Sequence, residues 1–295
     1  MGPPAARSIG GGYSLTMVET PRADPAPRAL ARSADLADQA TAPGAVPPWT
    51  ATGPAEAPAI VFIHGTRLAR TYWTPQVRRL SSEFRCIALD LPAHGARAAE
   101  PFTFERATAA VAAAIDAEAR DGRALLVGVS LGGYVAIDTA EQYPDRVAGL
   151  VLAGCSAEPV GPTAGLMRLL ALILERTPDR LLRAANVAYF RARYRRALTD
   201  ALVAGGFWSA GGAQALRVLI GRRYLERLGR LWTPVLIING TLDAVYAPGT
   251  DLWAATCRRG QAAVIPWAGH LASLDRPRTF SGHLATFART LRRDV

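Results

Sequence analysis

The segment Ala124-Leu-Leu-Val-Gly-Val-Ser130-Leu-Gly-Gly133 is an apolar run that ends in Gly128-x-Ser130-x-Gly132 and passes straight into a helical pattern. A serine on such a strand-turn-helix corner sits on a tight, strained backbone. Its hydroxyl is lifted above the sheet, and the free amides of the following helix face any negative charge that develops there. Side chains at 128 and 132 would collide with the neighbouring strand and helix, which accounts for the glycines. A hydroxyl is a weak nucleophile near neutral pH and needs a base, an imidazole held in turn by a carboxylate. His270, in Ile265-Pro-Trp-Ala-Gly-His270, and Asp243, in Ile238-Asn-Gly-Thr-Leu-Asp243, each follow an apolar run where a strand would end. The chain order Ser130, Asp243, His270 suits three side chains at the ends of successive strands. The chemistry this predicts is acyl transfer.

His64-Gly65 closes the first strong apolar run, a position from which a backbone N–H can complete an oxyanion hole, and Gly65 lets the chain pass close to the nucleophile. The donors are expected to be the amides of Thr66 and Leu131. His64 reads as a structural hydrogen bonder. His94, in Asp90-Leu-Pro-Ala-His-Gly95, reads as a stabiliser of a fixed turn, and His283 as a surface or packing residue.

Positioning these groups requires strands and helices in alternation. Short apolar runs at Ala59 to Ile63, Cys86 to Leu89, Ala124 to Val129, Val147 to Ala153, Val235 to Ile238 and Ala262 to Ile265 predict strands buried on both faces. Helices are predicted at 74–81, 104–119, 132–142, 250–256 and 278–292. The alternation predicts an α/β fold with a doubly wound, mostly parallel sheet, and active sites in such folds lie at the carboxyl ends of the strands. Residues 160–230 break the pattern. They carry Leu, Ile and Tyr at helical spacing, with Gly205-Gly206 and Gly211-Gly212 as expected breaks, and predict an all-helical cap inserted in the core of 59–159 and 231–295.

Residues 1–58 hold 10 of the 21 prolines and only two aromatics, which predicts a partly disordered leader; only Trp49 to Thr52 offers a weak strand candidate. The leader lacks the basic start and apolar run of a signal peptide. Three scattered Cys (Cys86, Cys155, Cys257) form neither a disulfide framework nor a zinc spacing, and a cytoplasmic location is expected. The longest apolar stretch in the cap, Leu169 to Leu174, falls far short of the roughly 18 residues of a membrane span. The net charge is +10, yet no Lys occurs, and all 34 basic residues are Arg. Basic clusters interleaved with exposed aromatics are absent, so a nucleic-acid partner is not expected.

Taken together, His64-Gly65, Asp90 to Gly95, Gly128 to Gly133, Asp243 and Gly269-His270 resemble the α/β-hydrolase superfamily, specifically its smaller members with a helical cap, over residues 59–295. The resemblance implies a Ser-His-Asp acyl-transfer site, no cofactor or metal, and a lid between the sixth and seventh strands of the family sheet. Ser130 argues against the dehalogenases and epoxide hydrolases of that superfamily, which use an Asp nucleophile. The expectation is a serine hydrolase of a carboxylic ester or lactone. Carbon–carbon bond hydrolysis, amide or thioester cleavage and cofactor-free perhydrolysis stay open, as does a non-catalytic ligand-binding protein. Residues 161–230 carry 13 Arg against 4 acidic residues. They either solvate the outer face of the cap or attract an anionic substrate or surface. Leu166, Leu169, Ile173, Tyr189, Phe190 and Phe207 supply apolar surface that could roof a pocket.

Overall fold

The computed structural model describes residues 47–291. Seven strands, β1 (Trp49–Thr52), β2 (Ala59–Ile63), β3 (Arg85–Leu89), β4 (Ala124–Val129), β5 (Val147–Ala153), β6 (Val235–Gly240) and β7 (Gly260–Ile265), form one sheet in the order β1-β3-β2-β4-β5-β6-β7. All neighbours are parallel except β1, which runs antiparallel to β3 with Trp49 opposite Leu89. The α/β class and the mostly parallel sheet match the sequence expectation. β1 is the weak candidate noted above, and its burial alternates because it is an edge strand. The part of the leader reading that covers 1–46 lies outside the described residues.

Strand alternation sorts the core into two layers. Val61, Ile63, Ile87 and Leu126 face one side, and Ile60, Phe62, Val127 and Val151 face the other. Helices α1 (Thr74–Leu80), α2 (Phe104–Glu118), α3 (Leu131–Gln142), α9 (Thr250–Thr256), α10 (Ala272–Asp275) and α11 (Pro277–Leu291) cover these faces, and five cap helices separate α3 from α9 along the chain. α2 starts where the Thr103 side chain accepts a hydrogen bond from Arg106 N–H, an N-cap. In α11 the buried residues Phe280, Leu284, Phe287 and Ala288 recur every three or four positions, one helical stripe on the sheet. No helix among the described residues is long and apolar enough to cross a membrane.

Between β5 and β6 the chain forms α4 (Gly161–Arg176), α5 (Asp179–Arg193), α6 (Arg196–Gly205), α7 (Ser209–Leu219) and α8 (Leu225–Arg230). Gly206, at φ +80°, ends α6. Gly211-Gly212 does not break a helix, contrary to the sequence reading, but lies inside α7. The reason is steric: a β-carbon at Gly211 would lie 2.1 Å from the Ala93 carbonyl oxygen, and one at Gly212 would lie 2.4 Å from Cγ of Arg67. The pair costs helix propensity but lets α7 pack directly on the loops above the sheet.

Candidate active site

Ser130 stands between the end of β4 and the start of α3 with φ +53° and ψ −119°. For a residue with a β-carbon this left-handed backbone costs on the order of 1–2 kcal/mol. Two bonds hold it there: Ser130 N–H donates to the Ala153 carbonyl (2.8 Å), and Gly133 N–H donates to the Ser130 carbonyl (2.9 Å). The flanking glycines have no alternative. A β-carbon at 128 would lie 2.2 Å from the Gly132 carbonyl oxygen, and one at 132 would lie 2.2 Å from that of Ile63.

Asp243 follows β6 and is buried. Its Oδ1 accepts from the amides of Val245 (3.3 Å) and Tyr246 (3.2 Å), and its Oδ2 lies 2.8 Å from His270 Nδ1. A carboxylate can only accept at that bond, so Nδ1 carries the proton and Nε2 is left with its lone pair. The His270 ring stacks on Tyr246 at 5.1 Å and packs over Gly154, where a β-carbon would lie 2.8 Å from Cε1. Gly154 directly follows Ala153, the residue that holds Ser130 N–H, so Ser130 and His270 both lie beside the carboxyl end of β5. Asn239 fixes this corner. Its Oδ1 accepts from Gly154 N–H (2.8 Å), and its Nδ2 donates to Ser156 Oγ (2.7 Å) and Thr250 Oγ1 (2.8 Å).

The loop after β2 passes tight against Ser130: a β-carbon at Gly65 would lie 3.4 Å from that of Ser130. The amides of Thr66 and Leu131 bond to no acceptor among the described residues, which leaves both free for an incoming oxygen. Two buried histidines hold this loop. His64 Nδ1 donates to the Gly65 carbonyl (2.8 Å) while its Nε2 accepts from Leu91 N–H (3.0 Å). His94 Nδ1 donates to the Pro92 carbonyl (2.8 Å) while its Nε2 accepts from Arg67 N–H (3.1 Å). Each ring is therefore a neutral tautomer with both nitrogens engaged. Burial lowers the His64 pKa to about 4 and that of His94 to about 3. Asp90 adds an ion pair with Arg70 and accepts from the amides of Arg70 (2.7 Å) and Ala96 (2.9 Å).

The Ser130 hydroxyl forms no hydrogen bond with a described residue, so the link from Ser130 to His270 is open; such contacts often tighten only around substrate. Of the apolar cap residues read as a roof, Phe190 and Phe207 are buried and stacked at 5.6 Å, whereas Leu166, Leu169, Ile173 and Tyr189 are exposed. The residues that sequence reading missed are those whose role depends on a distant partner: Gly154, Asn239, Arg67 and Asp275. Asp275 receives Arg193 and Tyr194 from the end of α5 and also the amide of Gly269, next to His270. Desolvation pushes its carboxyl up, but the bonds from Arg193, Tyr194 and Gly269 outweigh this and hold it below the usual value. A groove of about 810 Å³, walled in part by Pro58, Ala59, Ala124, Val147 and Pro234, lies at the amino ends of the central strands, away from these groups.

Residues 60–282 match the alpha/beta hydrolase family, and the chain belongs to it. It is 30% identical over 246 residues to a pimeloyl-[acyl-carrier protein] methyl ester esterase of Edwardsiella ictaluri, spanning 78% of this chain and 92% of that protein. It is 32% identical over 253 residues to the enzyme of the same name from Xanthomonas campestris pv. campestris, spanning 81% and 95%. Among solved structures it resembles a thermophilic esterase from Thermogutta terrifontis with a TM-score of 0.70 and 28% identity, covering 82% of this chain and 93% of that one.

Proposed function

We propose that the protein, a carboxylic ester hydrolase by its family and relatives, works through Ser130 as nucleophile, His270 as general base and acid, and Asp243 as the group that orients it. The supporting observation is the 2.8 Å contact between His270 Nδ1 and Asp243 Oδ2, beside a serine held on a left-handed elbow. Ser130 Oγ attacks the ester carbonyl carbon, and its proton passes to His270 Nε2. The carbonyl oxygen, now an anion, takes hydrogen bonds from the amides of Thr66 and Leu131. Collapse breaks the bond to the alcohol, which leaves with the proton from His270. Water, deprotonated by His270, then attacks the acyl-serine; as the bond to Ser130 Oγ breaks, His270 returns the proton to that oxygen and the carboxylic acid is released. A lactone reacts in the same way, with its alcohol still attached to the acyl part.

The names of the relatives make methyl esters the first alcohol part to assay. The cap contributes positive charge. Arg168, Arg176, Arg180, Arg183 and Arg191 are exposed on α4 and α5 and would draw an anionic substrate or surface toward it. The three cysteines are buried and unpaired, in keeping with the reducing cytoplasm, which we take as the compartment.

The test is labelling by a fluorophosphonate, comparing the parent with Ser130→Ala, followed by p-nitrophenyl esters of increasing acyl length. Labelling of the parent alone, with hydrolysis lost in the variant, is the expected result. A variant that still labels at the same rate overturns the assignment of Ser130.

A further inference from the structure

Arg67 follows the oxyanion amide of Thr66 and occupies the left-handed region at φ +65°, where glycine is the unstrained residue. The surroundings over-determine that conformation. His94 Nε2 accepts the Arg67 amide, the Arg67 carbonyl accepts from Trp208 N–H at the start of α7 (2.9 Å), and the side chain runs beneath Gly212. The chain therefore holds a long cationic side chain, at a cost in backbone strain, in the seam between the oxyanion loop and the cap.

The guanidinium ends on an incomplete set of partners. Its Nη2 donates to Asn186 Oδ1 on α5 (3.2 Å), while its remaining N–H groups meet no acceptor among the described residues, and no described Asp or Glu pairs with it. Burial alone moves its pKa, downward, with no compensating carboxylate. Asn186 is only 9% exposed, and its Nδ2 has no hydrogen-bond partner. Flipping that amide does not help, because it would turn the NH2 group toward the guanidinium. The seam thus holds a positive charge with no described carboxylate beside it and one buried donor, Asn186 Nδ2, without a partner. An acceptor supplied from outside would complete the bonding of that buried amide.

Resting on the esterase reading above, we propose that Arg67 and Asn186 form a subsite for a carboxylate carried by the substrate. This makes the preferred substrates esters that retain one free acid group. The carboxylate would take a charge-assisted bond from Arg67 and the orphan N–H of Asn186 while the ester carbonyl sits on the adjacent Thr66 amide. The acid could be carried on the acyl part, as in a dicarboxylic acid half ester, or on the leaving alcohol, as in an ester of a hydroxy acid.

The test compares kcat/KM for monomethyl glutarate and monomethyl adipate with that for their dimethyl esters, and for O-acetyl-lactate with that for its methyl ester. The parent, Arg67→Met and Asn186→Asp are measured in parallel. Asn186→Asp supplies the missing anion from within and keeps Arg67 in place. The ratio of acid-bearing to neutral ester is used because a change beside Thr66 can lower both rates. The expected result is a fall of tenfold or more in that ratio for one of the two series in both variants, carried mainly by KM. The series that responds tells which side of the ester holds the acid. In addition, glutarate or adipate should raise the Tm of Ser130→Ala but not of the Ser130→Ala, Arg67→Met double variant. Ratios unchanged within twofold in both series, or equal Tm shifts in the two backgrounds, overturn the subsite. The esterase reading would survive that outcome, provided the neutral esters are still hydrolysed and Ser130→Ala abolishes their turnover.

Discussion

A β-carbon on Gly154 would lie 2.8 Å from Cε1 of His270, so the last turn of chain after β5 and the imidazole are packed with no room for a methyl group between them. Gly154 also has φ +58°, a conformation that other residues adopt only under strain. Gly154→Ala should therefore displace the ring from the Ser130 side of the site. We expect kcat to fall by about 10–100-fold with KM changed little, because a small misplacement of a catalytic group costs about that much. Steady-state kinetics on a p-nitrophenyl ester checks this.

Asp243→Asn should leave the fold intact, since the amide oxygen can still accept from the Val245 and Tyr246 N–H groups. It would, however, present a neutral group to His270 Nδ1 and lose control of the tautomer. A fall in kcat of roughly 10³–10⁴-fold is expected, with fluorophosphonate labelling slowed in parallel. Full labelling at the parent rate would remove Asp243 from the mechanism.

Two glycine substitutions should move stability in opposite directions. Gly132→Ala places a methyl 2.2 Å from the Ile63 carbonyl oxygen, a backbone atom that cannot retreat, and should cost about 3 kcal/mol or more. Gly282 lies in α11, and a β-carbon there would meet nothing within 4 Å, so Gly282→Ala should stabilise by about 0.5–1 kcal/mol through helix propensity. Urea midpoints at constant m-value measure both.

His64 and His94 impose a pH dependence on folding. Their pKa values fall from 6.5 to about 4 and about 3 in the folded chain. Below pH 6.5 the unfolded chain thus binds protons that the folded chain refuses. Their contribution is fully present above pH 6.5 and is lost as pH falls toward 4 and 3, with a slope of up to about 1.4 kcal/mol per pH unit for each ring. His94→Asn should flatten the slope of stability against pH between 6 and 4, as followed by urea unfolding at several pH values.

The strands were readable in the sequence because a parallel sheet buried on both faces needs unbroken apolar runs, and β2, β4 and β6 consist of such runs. The elbow was readable because its steric demands fall on residues two positions from Ser130. β1 was faint because Trp49-Thr-Ala-Thr52 is a short edge strand that buries only Trp49. Gly211-Gly212 misled because glycine within a helix signals close packing or a break, and only the partner, here Ala93 and Arg67, distinguishes the two. The link between Arg67 and Asn186 spans 119 positions and depends on how α5 docks, which no local pattern encodes.

Asp275 joins the carboxyl end of α5 to the amide of Gly269, so motion of that corner of the cap is coupled to the loop that carries His270. Amide exchange should accordingly be slow around Tyr194 and faster near Leu182, at the other end of the same helix.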